Sequence, residues 1–140
     1  MVIDGQEYIV RIGSKTYHCA VDIALGYVGG KWKTVVLYYL MEGTKRYSEL
    51  RKLIPDISEK MLAKALHELQ TDGIIRRQDH HTVPPRVDYS LTAEGRTLIP
   101  LLEALALWGK GKTERSGGKM LAVQAVAPPG ARRAGSSSAG

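Results

Sequence analysis

The chain has one cysteine, no long apolar run and no acid in its last stretch, and each absence narrows what it can be. A single thiol, Cys19, among 140 residues excludes an internal disulfide and any cysteine-rich zinc site. No run of about 18 apolar residues occurs, so no membrane-spanning helix is expected. The opening residues lack the basic flank, apolar stretch and small-residue cleavage site of a secretory signal, so a cytoplasmic protein is expected. Catalytic chemistry is poorly supplied too. No nucleophile–base pair, paired carboxylates, phosphate loop or metal-ligand spacing is found, which leaves an enzyme without support and implies no cofactor and no metal.

What is present is positive charge, unevenly placed. The net charge is +6, yet residues 1–44 carry four basic and four acidic side chains, and residues 87–115 again carry four of each. Residues 45–86 carry nine basic against six acidic, and residues 116–140 carry three basic and none acidic. The excess therefore lies in the middle segment and the tail. Such a segment is either a face for a polyanion or a solvated surface, and charge alone does not choose between them.

The length suits one domain with a tail. Turn pairs at Asp4-Gly5 and Gly13-Ser14 flank an alternating Tyr8, Val10, Ile12 run, which predicts one or two short strands within residues 1–18. A short helix follows over Val21 to Val28, stopped by Gly29-Gly30. Trp32, Val35, Val36, Tyr39 and Leu40 fall on one face of a second helix that ends before Gly43. "RYSELRKLIP" predicts a two-turn helix stopped by Pro55. A three-residue turn, Asp56 to Ser58, leads to the next helix, with Ser58 as N-cap, Met61, Leu62, Ala65, Leu66 and Leu69 buried, and Gly73 as its left-handed stop.

Two strands, "IIRRQ" and "RVDYSL", are joined by "DHHTVPP". A long helix then runs from Thr92 to about Trp108, with Pro100 either kinking it or dividing it. Residues 113–140, rich in Gly, Ala, Ser and Pro without a period, are expected to form a disordered tail.

Short helix, tight turn, helix and hairpin together make a winged helix-turn-helix, an α+β fold with an N-terminal strand and helix extension. On this reading residues 58–71 form the recognition helix, whose outer face shows Ser58, Lys60, Ala63, Lys64, His67 and Thr71. Residues 76–88 form the wing, with Arg76, Arg77, His80, His81 and Arg86, and its prolines stiffen a loop that has no core behind it. These side chains suit bases and phosphates.

Four stretches resemble the HxlR-type winged helix-turn-helix regulators of bacteria and archaea: Gly29-Gly30-Lys31-Trp32, Arg46-Tyr47-Ser48-Glu49-Leu50, Glu68-Leu69 through Gly73, and Pro84-Pro85-Arg86-Val87 to Thr92. The likeness covers roughly residues 19 to 109, and residues 19–112 are taken as the domain. It implies a homodimer on double-stranded operator DNA, joined by the first helix and the long C-terminal helix. Arg46 and Ser48 then join the DNA-facing set. Val21, Leu25, Leu98, Leu101, Leu105 and Trp108 become the dimer interface.

The family commonly has Cys-Pro where this chain has Cys19-Ala20, and some members use that cysteine to sense oxidants or electrophiles. Independently, a thiol at a helix start beside His18 is expected to favour its thiolate. The competing role for Cys19 is packing. His18, Cys19, His80 and His81 lack metal-ligand spacing, and loop histidines near DNA account for His80 and His81. Trp32, Tyr39 and Trp108 either line a small-molecule effector pocket or belong to core and interface. A protein-docking winged helix without DNA binding is the alternative function.

Overall fold

The structure is a computed structural model that describes residues 1–123. Two antiparallel hairpins open the chain, where one or two strands were expected. β1 (Val2–Ile3) pairs with β2 (Gln6–Glu7), and β3 (Val10–Ile12) pairs with β4 (Lys15–Tyr17). Each closes on one of the turn pairs visible in the sequence, but two- and three-residue strands are too short for alternation to register. Tyr17 is buried, its ring so close to Gly26 that a Cβ there would push it aside.

α1 (Ala20–Val28) and α2 (Lys31–Leu40) follow, separated by Gly29-Gly30. A strand unseen in the sequence comes next, β5 (Lys45–Arg46), and leads directly into α3 (Tyr47–Leu53). The link to α4 (Glu59–Thr71) is longer than the three-residue turn expected, because the chain dips inward at Ile54 and Ile57 to bury both. Ser58 caps α4 as expected, its Oγ accepting from Met61 N–H at 3.1 Å. Met61, however, is 47 % exposed and not part of the buried face. At the start of a helix it lies beyond the reach of the core that takes Leu62, Ala65, Leu66 and Leu69.

β6 (Ile75–Asp79) and β7 (Val87–Leu91) form the hairpin, and β5 adds to its other edge in the order β5-β7-β6. The wing is thus a three-stranded sheet with β7 at its centre. Leu91 and Tyr89 of that strand reach a core that also holds Val36, Leu37, Leu50 and Leu102. Full burial of each such side chain contributes about 1.5–3 kcal/mol.

The long C-terminal helix is divided, the second of the two outcomes that Pro100 allowed. α5 (Ala93–Arg96) ends just before α6 (Ile99–Arg115), and Pro100 sits in the first turn of α6, where a missing N–H leaves no bond unmade. Thr92 Oγ1 accepts from Gly95 N–H at 3.0 Å and lies 2.6 Å from the Gly73 carbonyl, so it joins α5 to the start of the wing. Gly95 is required there, since a Cβ would meet the Ile74 carbonyl. α6 passes Gly109 and ends only at Arg115, three residues into the expected tail. Its stop is Gly117, at φ +65°, where Gly118 N–H returns to the Thr113 carbonyl at 2.8 Å. Residues 124–140 of that expected tail lie outside the described residues.

Candidate nucleic-acid interface

α4 is amphipathic because its leucines recur at helical spacing, and packing them against α2 turns Lys60, Ala63, Lys64 and His67 to solvent. Ser58 stands at the exposed start of the helix with its hydroxyl committed to the cap. Glu68 lies beneath this face, 3.5 Å from Lys33 Nζ and 4.0 Å from Lys64 Nζ. The two lysines differ in exposure. The Lys33 side chain is 15 % exposed and that of Lys64 is 75 % exposed, so Lys64 is the arm free to reach outward.

Sequence reading missed the basic edge beside it. Gly29-Gly30, Lys31, Lys33, Trp32 and Lys64 border a small groove of about 190 Å³ between the start of α2 and α4, with Lys31 Nζ 4.5 Å from the Trp32 ring centroid. Only the packing of α2 on α4 brings these lysines to the recognition helix.

The second cluster lies where α3 meets the wing. Arg46, Ser48, Arg77 and Arg86 line one cleft of about 390 Å³ with Tyr47 and Tyr89. These four come from three separate stretches and were expected to face DNA. Arg46 precedes α3, and its N–H donates to Glu49 Oε1 at 3.0 Å. Tyr47 was not foreseen as part of the site. Burial first, and then the Glu59 charge, hold its phenol above the usual value of 10.0, so it stays a donor at neutral pH.

Arg76 does not join that cleft. Adjacent strand positions point to opposite faces, so Arg77 stands opposite Tyr89 while Arg76 stands opposite Ser90 and donates to Gln78 Oε1 at 3.1 Å. His80 and Arg86 are not simply open to solvent either. His80 Nε2 is 2.8 Å from Asp88 Oδ2, and Arg86 Nη2 is 3.3 Å from the same oxygen. The Arg86 contact first, and then His80, hold the Asp88 carboxyl below its usual 3.8. His81 is exposed, and its N–H donates to Asp79 Oδ1 at 2.8 Å. That bond is the leading reason the Asp79 carboxyl also lies below 3.8.

Of the six apolar residues expected at an interface, Val21, Leu25, Leu101, Leu105 and Trp108 are exposed and Leu98 is half-buried. Trp32, Tyr39 and Trp108 do not share a pocket. Trp32 borders the lysine groove, Tyr39 lines a groove between α2 and α6, and Trp108 lies open with Arg115 5.7 Å from its ring centroid. A further groove, of about 620 Å³, lies between α2 and α6, walled by Tyr38, Met41, Leu107 and Met120. Cys19 is a half-buried free thiol at the N-cap of α1, and the nearby Asp22 carboxylate accepts from His18 N–H at 2.9 Å. Among the described residues no group of three or more His, Cys, Asp or Glu could hold a metal ion, and no helix is long and apolar enough to cross a membrane.

Comparison with known proteins bears on this arrangement. Residues 27–117 match the HxlR-like helix-turn-helix family. The chain is 46 % identical over 99 residues to an uncharacterized HTH-type transcriptional regulator of Methanothermobacter thermautotrophicus, covering 71 % of this chain and 76 % of that one. It is 43 % identical over 109 residues to the HTH-type transcriptional regulator YtcD of Bacillus subtilis, covering 78 % and 86 %. Among solved structures, the redox regulator HypR in its oxidized form superposes with a TM-score of 0.64 at 44 % identity, covering 66 % of this chain and 96 % of that one. With basic side chains gathered on a helix and a wing, and relatives alike over most of their length, the chain belongs to the HxlR-like helix-turn-helix family of DNA-binding transcriptional regulators.

Proposed function

We propose that the protein acts in the cytoplasm as a homodimer on palindromic operator DNA. α4 enters the major groove, where Lys64 and His67 reach base edges and Lys60 and Ser58 flank them. Arg46, Ser48, Arg77 and Arg86 hold phosphates at the α3–wing cleft, and Arg76, His80 and His81 complete the wing surface. The observation that carries the dimer is the apolar face left open on two helices, with Val21 67 %, Leu25 57 % and Trp108 66 % exposed. Such a patch is costly in water, and a second copy covers it isologously. Two recognition helices would then lie about 34 Å apart, one turn of DNA. Light scattering at micromolar concentration combined with gel shifts on upstream intergenic DNA tests this. A monomer that binds non-palindromic DNA weakly would refute it.

A second input is favoured by one observation. HypR, to which the chain is similar, is a redox regulator with oxidized and reduced forms, and Cys19 here begins α1 beside the exposed apolar face. In this reading oxidation of Cys19 gives a sulfenic acid, a mixed disulfide with a small thiol, or a disulfide between subunits. Diamide should then shift operator affinity in the natural protein and leave the Cys19→Ser protein unchanged. Equal affinity with and without diamide would leave Cys19 as packing and direct the search for an effector to the α2–α6 grooves.

A further inference from the structure

Asp88 is the buried charged residue among the described residues, 8 % exposed, and it sits among the basic side chains of the wing and of the strand paired to it. It occupies the central strand, with Arg46 opposite on one neighbour and Gln78 opposite on the other. Its Oδ2 lies 2.8 Å from His80 Nε2 and 3.3 Å from Arg86 Nη2, and its Oδ1 lies 3.4 Å from Arg86 Nε. An ionised carboxylate only accepts, so the imidazole Nε2 donates. The His80 N–H also donates to the Arg86 carbonyl at 3.0 Å. Residues at the end of β6 and the start of β7 are therefore tied together, by backbone and by side chain, at the base of the loop that crosses the wing tip.

For a surface that meets a polyanion, an acid is electrostatically adverse unless it does something else. Its own charge is offset by the Arg86 guanidinium it holds. What it gives is restraint. Arg86 has five N–H donors in a fixed fork, and Asp88 engages Nε and Nη2 from one side. Nη1 is left without a hydrogen bond among the described residues. The contacts are long enough to steer the guanidinium without saturating it. An arginine that is already steered loses less conformational freedom when it grips a phosphate than one swinging free.

We infer that Asp88 is a positioning residue for DNA binding: it holds Arg86 and His80 at the wing root so that the free edge of Arg86 meets a backbone phosphate, and does not touch the DNA itself. This rests on the reading of the wing as a DNA contact. It makes a prediction opposite in sign to simple charge counting, by which removing an acid strengthens binding to DNA.

The test measures operator affinity across a salt series for the full chain and for Asp88→Asn, Arg86→Ala and the double variant, with folding followed by circular dichroism. Asp88→Asn should bind roughly tenfold more weakly despite its added net positive charge, the loss of about one charge-assisted contact. In the Arg86→Ala background the same change should make little further difference. Arg86→Lys, which keeps the charge but cannot be held by two nitrogens, should lose nearly as much as Arg86→Ala. This variant decides the matter alone if Asp88→Asn does not fold. Tighter or equal binding by Asp88→Asn, an equal loss with and without Arg86, or natural affinity in Arg86→Lys would each overturn the inference. If Arg86→Ala leaves affinity intact while Lys64→Ala weakens it, the wing reading itself fails and this inference falls with it.

Discussion

The recognition helix and the wing both present cations, but they hold them differently. On α4 the outer cations extend from a rigid rod into solvent, and Lys64 has Glu68 at 4.0 Å, an exposed pairing that contributes little. In the wing the side chains are engaged before any DNA arrives: the cations Arg86, Arg77 and Arg76 with Asp88, Asp79 (at 3.9 Å) and Gln78, and the His80 imidazole with Asp88. A helix has its geometry from its own backbone, so its side chains are free to adapt to base edges. A hairpin tip has no core behind it and needs side-chain bonds to hold its shape. On the proposed reading of the DNA interface, the contrast separates adaptable readout from a preset backbone grip.

In the proposed homodimer both regions act in pairs, so breaking that assembly is the largest expected effect. Replacing Leu105 with Asp on the open apolar face should give a folded monomer and lower affinity for a palindromic operator by about a hundredfold or more, because the second half-site no longer benefits from the first. Light scattering with a gel shift on full and half operators checks this, and undiminished binding by a monomer would contradict it.

Next in size is Lys64→Ala. It should weaken operator binding by about 1–3 kcal/mol and relax preference at one base position, with the melting curve unchanged. The contrast fails if affinity for unrelated DNA falls equally.

Arg86→Ala should behave the other way. Affinity should drop for all sequences alike, and the slope of log affinity against log salt should become shallower by about one contact. A loss confined to one base position would assign the wing to groove readout instead.

The smallest effect is on acid stability, and it belongs to the wing. The carboxyls of Asp88 and Asp79 lie below their usual 3.8, through Arg86 and His80 for the first and through the His81 N–H for the second. A carboxyl with a lowered native value stabilises the fold fully above its unfolded value, and that stability is lost as pH falls through the lowered value. The carboxyl resonances of Asp88 and Asp79 should therefore titrate with midpoints below 3.8, and Asp88→Asn should remove its share of that acid transition. An NMR titration showing these carboxyls at ordinary values would dissolve the distinction.

Much of the fold was legible because long elements repeat their pattern. α2, α4 and the β6–β7 hairpin carry several core residues each, and Gly73 and Ser58 mark the ends of α4 with chemistry that only those positions need. The failures share a cause. Met61 carried the helical period but lies at its open margin, bordering the lysine groove; the other two, β5 with two residues and Ile57 in a loop, have no period to read. In all three the environment depends on what packs there.

The site divides in the same way. The cations and their segments, Lys60 and Lys64 on one helix and Arg76, Arg77 and Arg86 around one loop, were set by the sequence alone, since charge and helical spacing are local properties. Tertiary structure decided their company. It brought Arg46 and Tyr47 across to Arg77 and Arg86, placed Lys31 and Lys33 beside Lys64, and turned Arg76 away from Arg77. It also buried Asp88 between two partners, because β7 becomes the central strand only when β5 pairs on its far side, a contact across more than forty residues that no local pattern encodes.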